Sequence, residues 1–313
     1  MAEHHDDTTH YSRRQVAAWL ALGGAALVTA CKGDGAAPSG WTGSTGDTGT
    51  SEGGTRDTGT SDSGGGTVVG WAAGGTAAMT LKASYPDPFA DGTDGTCEVT
   101  CETTEGPCTA DTVEREDISE GFSGLPMRLV LRVVDADCQP VEGARVLVWH
   151  TQRSGVYSGV TPSGAFCYGD DPGAEAYLYF RGNQVTDDDG VVAFDTCFPG
   201  WYSSRAPHIH FQVLLDDTLY VTGQVVCDDD LSAEVYGDHP EYSDFGLPDT
   251  TIATDTVVGG VDDPSAYILE TERMDDGALL AWKTIVVRSD LADTLCAAEG
   301  AGGGGAPGGP GGP

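Results

Sequence analysis

Apolar and polar residues alternate in short runs through the middle of the chain, and that pattern predicts strands. Residues 127–134 (Met-Arg-Leu-Val-Leu-Arg-Val-Val) alternate, as do residues 144–150. Residues 191–194, 208–215 and 219–226 read as further strands. Near the end, residues 266–272 and 279–287 flank Met274-Asp275-Asp276-Gly277, a hairpin signal. Residues 135–140 and Asp187-Asp188-Asp189-Gly190 read as turns, and so does Asp228-Asp229-Asp230 with its carboxylates in water. No long stretch keeps a helical period. Short strands at close spacing predict an all-β fold, an antiparallel β-sandwich with long loops.

The two ends break the pattern. Arg13-Arg14 precedes an apolar run over residues 16–30, short for a membrane span. The paired arginines resemble a twin-arginine export signal, and Val28-Thr29-Ala30-Cys31 resembles a bacterial lipobox. Together they imply cleavage before Cys31, a lipid on its thiol and a place at the cell envelope. Gly, Ser, Thr and Asp crowd the residues that follow, with too little apolar content to offset the entropy of ordering. The expected organisation is a signal over residues 1–31, a flexible linker over 32–85, one domain over 86–296 and a Gly/Pro tail over 297–313.

Charge and cysteine content narrow the function. The 313-residue chain carries 49 acidic residues against 15 basic, a formal charge of −34. Such a surface repels phosphate backbones, so nucleic acid is excluded as a partner. Apart from Cys31, eight cysteines remain: 97, 101, 108, 138, 167, 197, 227 and 296. An even number in an exported chain predicts disulfides, with 105 possible pairings that sequence does not choose between. Zinc at Cys97 and Cys101 lacks a second close pair to complete it.

The chemistry gathers around His208-Ile209-His210. On a strand, residues i and i+2 share a face, so both imidazoles can meet one ion. Tyr202 lies six residues upstream across a Pro-containing turn, and Arg205 lies between them. Tyr157 sits in Gly155-Val156-Tyr157-Ser158, and Gln224 lies on the next strand. Tyr168, Tyr177 and Tyr179 compete for the place of Tyr157, whose Gly-Val-Tyr-Ser context favours it. Two phenols and two imidazoles match a hard trivalent ion such as Fe³⁺ better than zinc. His150 reads as a packed core histidine, and His239 as a solvated loop residue.

Several motifs resemble those of the intradiol ring-cleavage dioxygenases, the family of catechol 1,2-dioxygenase and protocatechuate 3,4-dioxygenase. They are Thr104-Glu105-Gly106-Pro107; Gly143-Ala144 with Val148-Trp149-His150; Gly155-Val156-Tyr157-Ser158; Arg181-Gly182 with Thr186 and the 187–190 turn; and Pro199-Gly200-Trp201-Tyr202 with Arg205-Ala206-Pro207-His208-Ile209-His210. The resemblance covers about residues 97–245. It implies non-haem Fe³⁺ held by Tyr157, Tyr202, His208 and His210. It places Arg205 and Gln224 beside a small catechol substrate, with Tyr202 also taking a substrate proton. The implied reaction splits the ring between its two hydroxyls with O₂ and yields a muconate-type diacid. Two other readings compete. An exported binding module for an aromatic or carbohydrate ligand would not need the two tyrosines, two histidines and arginine. A cupin-type site would want a glutamate shortly after His210, where this chain has Phe211-Gln212-Val213.

The signal reading has a direct test. In a bacterium that exports the chain, Cys31→Ser should abolish incorporation of radioactive fatty acid and leave the leader uncleaved. Undiminished labelling would refute the lipobox.

Overall fold

A computed structural model of the chain describes residues 70–92, 97–169 and 171–298. The expected signal, Cys31 and the linker up to residue 69 lie outside the described residues, as does the tail from residue 299.

Eight strands form two sheets. They are β1 (Pro126–Val134), β2 (Arg145–Trp149), β3 (Arg181–Val185), β4 (Val191–Cys197), β5 (His208–Leu215), β6 (Thr218–Val226), β7 (Glu270–Arg273) and β8 (Leu279–Val286). One sheet has the order β4-β1-β8-β7 and the other β3-β2-β5-β6. The second sheet is antiparallel throughout. The first contains one parallel pairing, β1 with β8. Alternation predicts which face a strand buries but not the direction of its neighbour, so this pairing was not legible in the sequence.

The core lies between the sheets. Met127, Leu129, Leu131 and Val133 of β1 face it, as do Ile209, Phe211 and Val213 of β5. Period-two alternation puts His208 and His210 on the opposite face of β5, outside the sandwich. There a second buried cluster gathers Trp149, Val156, Tyr157, Cys167, Tyr168, Tyr179 and Tyr202 beneath long loops. Loops that cover one sheet face thus make a second interior, and the histidines belong to it.

The structure departs from the sequence reading at several points. The folded part starts before residue 86. Residues 70–85 include two short 3₁₀ turns, Thr76–Ala78 and Lys82–Ser84. They pack through a Lys82 Nζ to Asp195 Oδ2 ion pair of 2.5 Å and a Tyr85 hydroxyl bonded to Asp276 at 2.9 Å. Its alanines and glycines show no period, yet Trp71 packs on the sandwich core and Met79 is buried. His239 is buried rather than solvated, with Nε2 2.8 Å from the Ala72 carbonyl of that same segment. Asp228-Asp229-Asp230 opens a helix, Asp229–Asp238, instead of a free turn. Asp228 Oδ1 caps it by accepting from the amides of Asp230 and Leu231, and the other two aspartates sit in its positive first turn. The expected strand over 266–272 shortens to β7, preceded by the 3₁₀ turn Pro264–Tyr267; the 274–277 hairpin turn stands.

Six of the eight cysteines pair, as Cys97–Cys138, Cys101–Cys296 and Cys108–Cys167. Cys197 and Cys227 are free and buried, contrary to the expectation of full pairing. Both sit among apolar neighbours, where burial pushes their thiols up and they act as small hydrophobes.

The Cys101–Cys296 bond closes 195 residues of chain, the longest of the three separations. Serine at both positions should cost about 2–5 kcal/mol of stability, read as a lower urea midpoint at unchanged slope. An unchanged midpoint would show that the bond adds nothing to this fold.

Candidate metal centre

Four donor atoms meet on the outer face of β5. The Tyr157 hydroxyl is 3.1 Å from His208 Nε2, 3.0 Å from His210 Nε2 and 3.3 Å from the Tyr202 hydroxyl. The Tyr202 hydroxyl is 3.2 Å from His208 Nε2. All four side chains are buried. Among the competing tyrosines, Tyr168 bonds the Gly159 carbonyl and the Thr161 amide, and Tyr177 is largely exposed. Tyr179 takes a bond from Gln152 Nε2. Only Tyr157 of the four places its hydroxyl against the histidines.

Two glycines let this happen. The loop bearing Tyr157 crosses the loop bearing Tyr202 at Gly155 and Gly200. A Cβ on Gly200 would lie 2.0 Å from the Gln152 carbonyl oxygen and 2.5 Å from Gly155 N. A Cβ on Gly155, at φ +78°, would lie 2.2 Å from the Trp201 carbonyl oxygen. Backbone meets backbone here, so no side chain can move aside. The chain reversal that aims Tyr202 inward is a tight turn from Tyr202 to Arg205, closed by Arg205 N to Tyr202 O at 3.1 Å. Its left-handed residue is Ser204, at φ 71°; Pro207, expected to take part, lies beyond it.

The protonation pattern follows from the partners. His208 Nδ1 is 2.7 Å from the Ala206 carbonyl, which can only accept. Nδ1 therefore carries the hydrogen and Nε2 turns its lone pair toward the phenols. Burial, with Arg205 nearby, holds His208 down at about 3, and burial first with His208 second keeps His210 well below its ordinary value. Both imidazoles are neutral at pH 7. Burial also raises the Tyr157 and Tyr202 phenols. A few shared protons thus hold the four atoms together, and one cation could replace those of the phenols; His210 Nδ1 itself has no hydrogen-bond partner. Among the described residues no group of three or more His, Cys, Asp or Glu is placed to hold an ion. Phenols complete the histidine pair instead, and two phenolates with two imidazoles suit a hard trivalent ion.

Arg205 and Gln224 stand beside the cluster, as the sequence placed them. Arg205 Nη1 is 3.3 Å from His208 Nε2, and Nη2 donates to Gln224 Oε1. Gln224 is the register partner of His210, and its Nε2 donates to the Thr104 carbonyl at 2.6 Å. His150 is a core histidine, with Nδ1 2.8 Å from the Thr151 carbonyl and Nε2 2.7 Å from Thr196 Oγ1.

Three neighbours were not legible as site residues. Trp149 pairs with His210 in register and stacks on it at 4.9 Å between ring centroids. Arg181, buried, carries its guanidinium carbon 5.9 Å from the Tyr157 ring centre and bonds the carbonyls of Cys108 and Ser158. Asp255, fifty residues from Arg205, takes a bond from Arg205 Nε at 3.0 Å. Trp149 and Arg181 stood inside motifs, but strand pairing was needed to aim them. Asp255 lies in a loop with no pattern to mark it.

Known proteins give the class to which this fold and site belong. Residues 101–232 match a family model described as dioxygenase. Catechol 1,2-dioxygenase of Acinetobacter baylyi is 26% identical over 149 residues, which cover 42% of this chain and 42% of that protein. The chain therefore spans less than half the length of that curated relative. An intradiol ring-cleavage dioxygenase of Tetranychus urticae superposes with a TM-score of 0.55 at 26% identity, over 64% of this chain and 99% of that one. A second solved dioxygenase gives 0.53 at 26% identity, over 64% and 98%. Over this region the chain is similar in sequence and fold to the intradiol ring-cleavage dioxygenases.

The loop crossing can be tested by one methyl group. Gly200→Ala should destabilise the domain by at least about 2 kcal/mol, because two backbones must part. The same separation should weaken metal retention. An alanine variant with wild-type stability would show that the crossing is not held as described.

Proposed function

We propose that the chain is an exported, non-haem Fe³⁺ dioxygenase that opens a catechol-type ring between its two hydroxyls with O₂, giving a muconate-type diacid. The observation that carries this reading is the convergence of the four donors, with the Tyr157 hydroxyl 3.0–3.3 Å from His210, His208 and Tyr202 and the Tyr202 hydroxyl 3.2 Å from His208. Ferric iron bound there would act as a Lewis acid and draw electron density from a catecholate ring, opening that ring to O₂.

The chain's own residues supply the rest. His208 and His210 arrive neutral and need lose no proton to bind a cation. Tyr157 is the more enclosed phenol, backed by Arg181 and by its amide bond to the Cys167 carbonyl. Tyr202 sits on a tight turn and can swing without disturbing a strand. Its oxygen, as phenolate, is basic enough to accept one proton from a catechol hydroxyl. Arg205 presents donors toward His208, where charge builds on an opening ring. Trp149 and the loop carrying Gly106 close over His210 and keep water out; a Cβ on Gly106 would meet His210 Cε1 at 3.3 Å. Export and tethering through a lipidated Cys31 are supported by Arg13-Arg14, by Val28-Thr29-Ala30-Cys31 and by the three disulfides, which form in oxidising compartments.

The test is to supply catechol and hydroxyquinol under ¹⁸O₂ to the iron-loaded protein and identify products by mass spectrometry. A labelled muconate-type diacid is expected. His208→Ala with His210→Ala should remove the bound iron, and Tyr202→Phe should keep some iron but lose most turnover. A semialdehyde product would exclude cleavage between the hydroxyls. Full iron occupancy in the double alanine variant would sink the ligand set.

A further inference from the structure

We infer that Asp255 is a specificity-determining residue, which cancels the charge of Arg205 and makes the site discriminate against ring substrates that carry a carboxylate. The inference rests on the proposed catechol site. Asp255 sits in the loop after the 3₁₀ turn Ile252–Thr254, far in sequence from the other site residues. Its side chain is fully buried, and that of Arg205 is 4% exposed.

Every lone pair of this carboxylate that faces protein has a donor. Oδ2 accepts from Arg205 Nε at 3.0 Å and from the Ala206 amide at 2.8 Å. Oδ1 accepts from the amides of Val257 at 2.8 Å and Val258 at 3.0 Å. Ala206, whose amide donates to Asp255, also supplies the carbonyl that fixes the His208 tautomer, on the next peptide. One carboxylate therefore holds Arg205 and anchors the residue that orients His208.

The charge follows from the same geometry. Arg205 places Nη1 3.3 Å from His208 Nε2, so its guanidinium charge stands directly beside the cluster. Salt does not screen a pair buried this deeply, so Asp255 offsets Arg205 at any ionic strength. A substrate carboxylate beside this pair meets a dipole rather than a free guanidinium. Around it the protein carries a formal charge of −34. A neutral catechol loses nothing by this arrangement, whereas an anionic one forfeits its hydration without gaining a counter-charge from Arg205. Arg205 still donates hydrogen bonds through Nη1, so the pairing removes charge selectivity and leaves a donor.

The test uses the iron-loaded full chain and two unreactive probes, phenol and 4-hydroxybenzoate, titrated by calorimetry. Wild type should bind phenol at least about tenfold more tightly than the anion, which gives up its hydration without a counter-charge from Arg205. Asp255→Asn should cut that ratio by about tenfold, and Asp255→Glu, which keeps the charge, should preserve it. The ratio of catechol to protocatechuate kcat/KM should move the same way. A wild-type ratio near one overturns the inference without any variant. So does an unchanged ratio in Asp255→Asn, or an equal shift in both variants, which would make the role structural. If Asp255→Asn melts without a cooperative transition, Arg205→Gln replaces it. That variant leaves Asp255 as the sole charge, so the ratio should widen beyond wild type; a ratio that stays or narrows overturns the inference. Failure of every catechol to turn over would refute the ring-cleavage reading, while the probe ratios would still decide the role of Asp255.

Discussion

Four lone-pair donors gathered around the Tyr157 hydroxyl, which lies 3.0–3.3 Å from the other three, and sealed from water form the constraint on which the rest of the structure depends. Burying two phenols and two imidazoles with so few protons between them is unfavourable in isolation. The surroundings are built to hold them there. β5 supplies the two histidines on one face while its other face anchors the sandwich core. Gly155 and Gly200 let two backbones cross so that Tyr157 and Tyr202 meet. The Ala206 carbonyl fixes one tautomer, and the aromatic cluster around Trp149 closes the space. A cation of high charge would satisfy all four donors at once and lower the phenols far enough to ionise them.

The acidic composition turns out to be a property of the exterior. Close to the donors the charged side chains are few, and each has a defined partner or contact. Arg205 is paired with Asp255, and Arg181 lies over Tyr157 with backbone carbonyls as acceptors. Arg205 and Asp255 therefore cancel, while Arg181 leaves a positive charge behind Tyr157. Two phenolates and a hydroxide would balance a trivalent ion, which limits the desolvation cost of burying such a centre.

Much of the site was legible because strands and local motifs carry it. His208 and His210 obey period two, Gln224 follows on the paired strand, and Tyr157, Tyr202 and Arg205 lie in short motifs. The structure brings all six together. What sequence could not show is what long-range packing decides. Asp255 reaches Arg205 from fifty residues away, and Trp149 reaches His210 through strand register. The sandwich was legible from alternation, but the parallel β1–β8 pairing was not, since a strand's pattern is the same in either direction. The segment over 70–85 looked like linker because its apolar residues keep no period, although Trp71, Met79 and Tyr85 pack inward beside the polar bonds of Lys82 and Tyr85. Cys197 and Cys227 looked like disulfide partners because an even count says nothing about which thiols are within reach.

The central claim is that two tyrosines and two histidines hold one ferric ion. Resonance Raman spectroscopy of the iron-loaded protein, excited in its visible absorption band, tests that most directly. Phenolate bound to ferric iron gives a charge-transfer band and enhanced tyrosinate ring modes. Two inequivalent sets are predicted, one lost in Tyr157→Phe and the other in Tyr202→Phe. An iron-loaded protein without a visible band, or one whose tyrosinate modes survive both substitutions, would contradict the account.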